Sequence, residues 1–422
     1  MKVLWLCNIM LPCVAESLNR TILPSGGWMS GLLSEIISRT DHQIMVCFPD
    51  SAVQNTYFGR THKLEYMGFP AKLEGKYQLR ELREEFGEIL RNYAPHVVHI
   101  FGSEFGHTLA MLQAGEKLGL LDHMVVSIQG LVSVYAHHYQ ANLPVNVVHG
   151  YSLRDVLKKD NVHRSAMEYA SRGVAEIEAL KLCRHIMGRT DWDEACVKRI
   201  SPHAKYYHCN EILRSAFYKY VWSLDTCKRH SLFVSQWYSP IKGFHVVLEA
   251  MKDLVKVYPD LQLFTTGRNP LTVNLKERML QSYYVKYICH LIKKYGLQDH
   301  IQFLGVLDEQ SMCQQYVNAH VFLSASSIEN SPNSVGEAML LGTPVISSDV
   351  GGVKNMMTHN QDGFVYPFDE PYMLSYYIDK IFKDDQLAFQ ISKSARKHAN
   401  KTHNRVVNME RTCQIYEEIR LH

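Results

Sequence analysis

The chain has 422 residues, 46% hydrophobic and 21% charged, with a net charge of +3. That length exceeds one typical core, so two domains are expected. Charge is spread evenly, with 22 Lys+Arg against 21 Asp+Glu over residues 1–210 and 23 against 21 over the rest. Neither half has a basic face that charge alone would reveal, so nothing here argues for a nucleic-acid partner.

"KVLWLCNI" at the N-terminus could be the apolar run of a signal peptide. Asn8 interrupts it and no small-residue cleavage site follows, so a strand is the better reading. "GGWMSGLLSEIIS" then reads as a helix, "HQIMVCF" as a strand and Lys76–Ala94 as an amphipathic helix. "HVVHIFG", "MVVSIQG", "RHIMGRT" and "KYYHCN" continue as strands separated by helical patterns. The alternation restarts at His230 with strand "HSLFVSQ", helix Phe244–Tyr258, strand "LQLFTTG", helix Lys276–Tyr295, strand "IQFLGV" and helix Asp308–Ala319.

Strands alternating with helices imply parallel sheets covered on both faces. Two such series, joined near Asn210–Leu224, predict an α/β chain of two Rossmann-like, doubly wound domains facing across a cleft. The expected division is 1–212, 213–402 and a terminal helix in 403–422 that returns to the first domain. Ten cysteines without a C-x-x-C pair read as reduced, buried thiols of a cytosolic protein. No stretch approaches the roughly 18 apolar residues of a membrane span.

Chemistry concentrates in "IENSPNSVGEAMLLGTPVISSDVGG", Ile328–Gly352. Glu329 and Glu337 stand eight residues apart, a spacing shared by Glu168/Glu176 and Glu410/Glu418 inside ordinary helical stretches. Context separates the first pair. "HVFLSAS" before it reads as a buried strand, Pro332 suits the first turn of a helix, and Gly342 and Pro344 stop that helix before strand "PVISSD". The polar loop therefore lies at the carboxyl end of a strand, where open α/β sheets bind ligands.

Lys242, in "SPIKG", follows another strand and faces the same sheet edge, where a diphosphate needs a positive charge. By itself it could equally be a solvated loop lysine. Gly26 and Gly27 follow the first strand and open a helix. They do not form G-x-G-x-x-G, which excludes the nicotinamide fingerprint, yet they would let backbone N–H groups approach a phosphate. A tight turn is the plain alternative. Asp191 and Asp193 in "DWD" have the look of a metal pair, but they start a helix. Asp191 as N-cap and Asp193 as a dipole partner is the preferred reading. His137–His138 lack a third ligand at metal-like spacing and read as a loop pair near an acceptor.

"SIENSPNSVGEAM…GTPVISSDVGG", "SPIKG", "TTGRNP" and the early glycine pair together resemble family 4 glycosyltransferases. This is the large retaining group that uses nucleotide-sugars, often bacterial and classed as group 1, with the GT-B fold. The resemblance runs through nearly the whole chain. It implies that Glu329 contacts the transferred sugar, Glu337 the ribose hydroxyls and Lys242 the diphosphate. Gly26, Gly27, Asn330, Ser331, Asn333 and Ser334 would line the donor. The N-terminal domain would take the acceptor and the C-terminal domain the nucleotide.

Two positions depart from the family pattern. Gln236 replaces an arginine, leaving Arg268 or Arg214 to supply the missing charge, and Gln129 replaces a histidine on the N-terminal side. Gln129 can bond a sugar hydroxyl but cannot titrate. The implied activity is metal-independent hexosyl transfer from a UDP-sugar, ahead of a GDP-sugar, with no obligatory cofactor. The acceptor would be a glycan or a lipid-linked molecule, in cell-surface polysaccharide synthesis. The expected location is the cytoplasm, with peripheral association at the inner membrane face as a further expectation. A nucleotide-sugar epimerase, with Glu104 and His107 as acid and base, and a non-catalytic sugar-binding scaffold are the alternatives.

Overall fold

A computed structural model describes residues 1–20, 27–61, 64–71 and 76–421. It comprises two compact units. One contains Met1–Val134, Ala170–Arg214 and His403–His422, the other Tyr135–Tyr169 and Ser215–Thr402. Residues 135–169 thus group with the C-terminal part of the chain.

The first unit holds eight strands: β1 (Lys2–Leu6), β2 (Gln43–Asp50), β3 (Tyr57–Arg60), β4 (Glu65–Pro70), β5 (Val97–Phe101), β6 (Met124–Ser127), β7 (His185–Gly188) and β8 (Lys205–His208). Their order is β3-β4-β2-β1-β5-β6-β7-β8, parallel throughout except for β3 against β4. Side chains of β1 alternate between two cores. Leu4 and Leu6 join one, Val3 and Trp5 the other, so β1 is apolar at every position from Val3 to Leu6. A sheet covered on both faces demands that pattern.

Helix Arg405–Arg420 contributes Met409, Ile415, Tyr416 and Ile419 to the core around Trp5. Its Tyr416 hydroxyl accepts from Trp5 Nε1 at 3.1 Å and lies 2.6 Å from His99 Nδ1. Burial pushes the His99 imidazole down to about 3, so this cluster is neutral at physiological pH.

The second unit holds β9 (Lys228–Val234), β10 (Gln262–Thr265), β11 (Ile301–Phe303), β12 (Ala319–Ser324), β13 (Val345–Ser348) and β14 (Phe364–Tyr366). They form a parallel sheet in the order β11-β10-β9-β12-β13-β14. Strand order reverses between β9 and β12. That is the topological switch point of a doubly wound sheet.

Local differences from the sequence reading have simple causes. Strands β3, β4 and β14 were not anticipated: β14 has three residues and β4 contains Gly68 and Pro70, too little for a clear period. The helix expected over Lys276–Tyr295 is two, Leu275–Met279 and Tyr283–Lys294, because Ser282 caps a new start by accepting from Val285 N–H. Both control carboxylate pairs lie inside helices, Glu168/Glu176 in Val162–Leu182 and Glu410/Glu418 in Arg405–Arg420. None of the ten cysteines is bridged. Six are buried, while Cys13 is exposed. No helix among the described residues is long and apolar enough to cross a membrane.

Candidate active site

The loop after β9 closes into a turn of 3-10 helix, Pro240–Lys242, before helix Phe244–Val257. Gly243 joins them at φ +64°, and a Cβ there would collide with the carbonyl of Ala325 in the loop after β12. The two loops also share a backbone bond, Ser327 N–H to Ile241 C=O at 2.8 Å. From the other side, Gly352 N–H donates to the Glu329 carbonyl at 3.1 Å. Gly351, at φ +51°, has no room for a Cβ against that carbonyl. The Glu329 backbone is thus clamped between two glycine-bearing segments.

This clamp brings Glu329 and Lys242 together across 87 residues of sequence. Lys242 Nζ donates to Glu329 Oε1 at 2.6 Å, and Ser326 Oγ donates to the same oxygen at 2.7 Å. Glu329 is 8% exposed, whereas one third of the Lys242 side chain is open. A buried carboxylate is tolerable here because it is both paired and hydrogen-bonded. The neighbouring Asn330 N–H donates to the Tyr135 hydroxyl at 2.9 Å, and Ser327 Oγ to the His138 carbonyl at 2.9 Å.

Helix Asn333–Leu341 begins directly after the loop. Pro332, expected in the first turn, is its N-cap, and no side chain caps the helix. The Pro332 carbonyl accepts from Val335 and Gly336. The first-turn N–H groups of Asn333 and Ser334 have no acceptor within the helix, so its positive end faces the Glu329 loop. Ser331 lies in that loop. Glu337 stands one turn after Asn333 on the same face and is buried.

The remaining expected positions divide. Gln236 is exposed in the loop after β9. Arg268, offered above as its replacement, is instead paired with Glu277 at 2.7 Å, with its side chain 72% exposed. Arg214 belongs to the first unit, where its aliphatic chain fills the space beside Gly27. Gly26 lies outside the described residues.

Gln129 follows β6, half-buried, in the wall of a small cavity with Arg189 and Glu211. Those two form a buried ion pair at 2.5 Å, and Arg189 also donates to the carbonyls of Ile128 and Gln129 at 2.7 and 3.4 Å. The sequence reading missed this pair. So were Tyr135 and Ser326 missed, as they show themselves only through contacts distant in sequence or internal to the loop.

The "DWD" stretch is a helix start, but Thr190 is the cap and Asp191 the first helical residue. Asp193 completes a capping box, accepting from Thr190 N–H, from Arg189 N–H at 3.0 Å and from the Tyr206 hydroxyl. Among the described residues no cluster of three His, Cys, Asp or Glu is placed to hold a metal. His137 and His138 end helix Val132–His138 and do not form a loop, and burial lowers the His138 pKa.

Glu104 and His107 follow β5 in the first unit. Burial lifts the Glu104 carboxyl to about 7 and drops the His107 imidazole to about 3. His107 stacks on Phe105 and meets Phe69 edge-on, the setting of a core histidine.

Two doubly wound sheets, parallel but for β3, place the chain in the GT-B fold class. Residues 221–398 match the family model of the glycosyl transferases group 1. The chain is 27% identical to the putative glycosyltransferase YtcC of Bacillus subtilis over 43% of each chain. It is 27% identical to the phosphatidyl-myo-inositol mannosyltransferase of Mycobacterium leprae over 37% of this chain and 38% of that one. It thus spans less than half the length of these two relatives. Among solved structures, sucrose-phosphate synthase from Thermosynechococcus elongatus superposes with a TM-score of 0.73 at 16% identity, covering 99% of both chains. Anabaena HepE in complex with UDP-glucose gives 0.66 at 15% identity, covering 99% of this chain and all of that one.

Proposed function

We propose that the protein is a retaining glycosyltransferase that moves a sugar from a nucleoside-diphosphate sugar, UDP-linked ahead of GDP-linked, to a glycan or lipid-linked acceptor. The observation that carries this is the Lys242–Glu329 pair beside the open start of helix Asn333–Leu341. A departing nucleoside diphosphate gains negative charge. Lys242 and the N–H groups of Asn333 and Ser334 are cationic or dipolar donors that would stabilise it without a metal. Glu337 would accept from the ribose hydroxyls, and Glu329, just outside the helix, from hydroxyls of the transferred sugar. The UDP-glucose bound by the structural relative HepE agrees with this donor class. No second carboxylate is expected as nucleophile, so attack on the face of the departing phosphate, with that phosphate as base, would retain configuration. Gln129 is assigned to the acceptor side.

Incubation with UDP-glucose, UDP-galactose, UDP-N-acetylglucosamine and GDP-mannose tests the reading by nucleoside diphosphate release. Release that rises with added acceptor is expected. A C2-inverted sugar nucleotide without release would make the protein an epimerase, and tight donor binding with no chemistry would make it a scaffold.

A further inference from the structure

The second unit carries a half-open cavity of about 240 Å³ that none of the proposed donor contacts lines. Its walls include Tyr139, Arg154 and Asp160 from the 135–169 segment, Tyr238 and Ser239 from the loop leading into Lys242, and Tyr284. Arg154 and Asp160 meet as a two-point fork, Nη1 to Oδ1 at 2.9 Å and Nη2 to Oδ2 at 2.8 Å, each side chain less than one third exposed. Arg154 also pairs with Asp155 at 3.1 Å.

The chemistry of this lining is selective. A carboxylate accepting two bonds from one guanidinium retains outward lone pairs, and Arg154 retains further N–H groups, so adjacent donors and acceptors lie in one plane. Neighbouring hydroxyls of a sugar ring match that arrangement. The phenol ring of Tyr238 is 56% exposed and offers an apolar face with a polar tip, suited to a ring that is apolar on its C–H face and polar at its rim, with Tyr139 and Tyr284 also in the wall. Two carboxylates, Asp155 and Asp160, oppose one guanidinium, which disfavours a phosphate or nucleotide. The volume lies below the roughly 300–1,000 Å³ of sites for drug-sized ligands, which suits a single ring.

The same segment reaches the Glu329 loop through the Tyr135 and His138 contacts, and Ser239 stands three residues before Lys242. We infer that this cavity is a subsite for an uncharged sugar ring of the acceptor. This rests on the glycosyltransferase reading and makes the acceptor a glycan longer than the residue that receives the sugar.

Saturation-transfer NMR on the full chain, with methyl α-mannoside, methyl β-glucoside and methyl β-galactoside as probes, tests it without any transfer step. At least one glycoside should bind, with affinity weakened about tenfold by Tyr238→Ala and by Asp160→Asn, the loss expected for one strong contact. Lys242→Ala should leave that binding intact, and UDP should not displace the glycoside. Absence of binding to wild type, displacement by UDP, or full binding by both cavity variants would overturn the assignment. Tyr238 is 56% exposed, so its variant carries the test if Asp160→Asn fails to fold. Failure of every donor in the release assay would remove the transferase reading and leave this binding measurement standing.

Discussion

Lys242→Ala should damage donor binding and stability together, through one cause. The Glu329 carboxylate is 8% exposed, and removing its partner leaves a charge held by Ser326 Oγ alone. Breaking a fully buried pair costs about 3–5 kcal/mol, and an exposed pair about 0–1 kcal/mol. With Lys242 one third exposed, about 1–3 kcal/mol is expected, which lowers the melting temperature by roughly 2–10 °C. The double variant Lys242→Ala/Glu329→Gln removes the stranded charge and should recover most of that loss. Neither variant should bind the diphosphate normally. A charge-assisted contact contributes about 1.5–3 kcal/mol, so affinity for UDP should fall about ten- to a hundredfold in both. With Gln236 in place of a second cation and Arg268 held by Glu277, little redundancy is left to absorb the loss. Thermal unfolding of wild type, single and double variants, with calorimetric titration of UDP into each, separates the two effects. UDP affinity within twofold of wild type would make Lys242 a structural partner of Glu329 and nothing more.

Glu337→Ala should weaken UDP binding, while Glu329→Gln should spare it and cut transfer, because the two carboxylates address different parts of the donor. Equal UDP affinity in Glu337→Ala would refute the ribose assignment. Chelation with EDTA should leave most of the activity, and a full loss restored by Mn²⁺ would overturn the metal-free reading. Gly351→Ala should destabilise the fold by at least about 1–3 kcal/mol in denaturant unfolding, from its left-handed φ alone, before the collision with the Glu329 carbonyl is counted. Glu104→Gln should stabilise the protein at pH 8 relative to wild type and lose that advantage by pH 5. The Glu104 carboxyl titrates near 7 in the fold against about 4.5 when unfolded, so its ionisation costs stability progressively as pH rises between those values. His99, His107 and His245 have lowered pKa values and act in the opposite sense, losing stability as pH falls below about 6.5. Only the difference between variant and wild type isolates Glu104, and a difference independent of pH would refute its raised pKa.

What was legible in the sequence follows a physical boundary. Period and punctuation are local, so β12, helix Asn333–Leu341 and β13 could be read from apolar runs, Pro332 and Gly342, and the terminal helix expected within 403–422 spans Arg405–Arg420. The placement of Glu329 in the loop and Glu337 in the helix was legible because one motif holds both. Partnerships set by the sheet were not. Nothing near Asn330 announces that Tyr135 will accept its N–H, and nothing in "GRTDWD" announces that Arg189 will bury itself against Glu211. The pairing of Arg268 with Glu277, nine residues on, was equally hidden from a count of charges.

The same boundary explains why Lys242 and Glu329 form the strongest part of the site. Each occupies a loop that leaves the carboxyl end of a strand, and β9 and β12 are adjacent in space because the strand order reverses between them. Adjacent strands of one sheet run about 4.8 Å apart, so two loops leaving such a pair must either diverge or touch. Here Gly243 removes the side chain that would force them apart, Gly351 in the loop after β13 lets that backbone close on Glu329 from the other side, and a lysine reaches a buried carboxylate. The pair is therefore fixed by strand order and two missing Cβ atoms, before any ligand binds. If that is what positions Glu329, Gly243→Ala should disturb the Lys242–Glu329 contact and depress transfer and UDP binding together, although the glycine touches neither sugar nor phosphate. A variant that folds, binds UDP normally and transfers at the wild-type rate would show that the loops find their arrangement without that close approach.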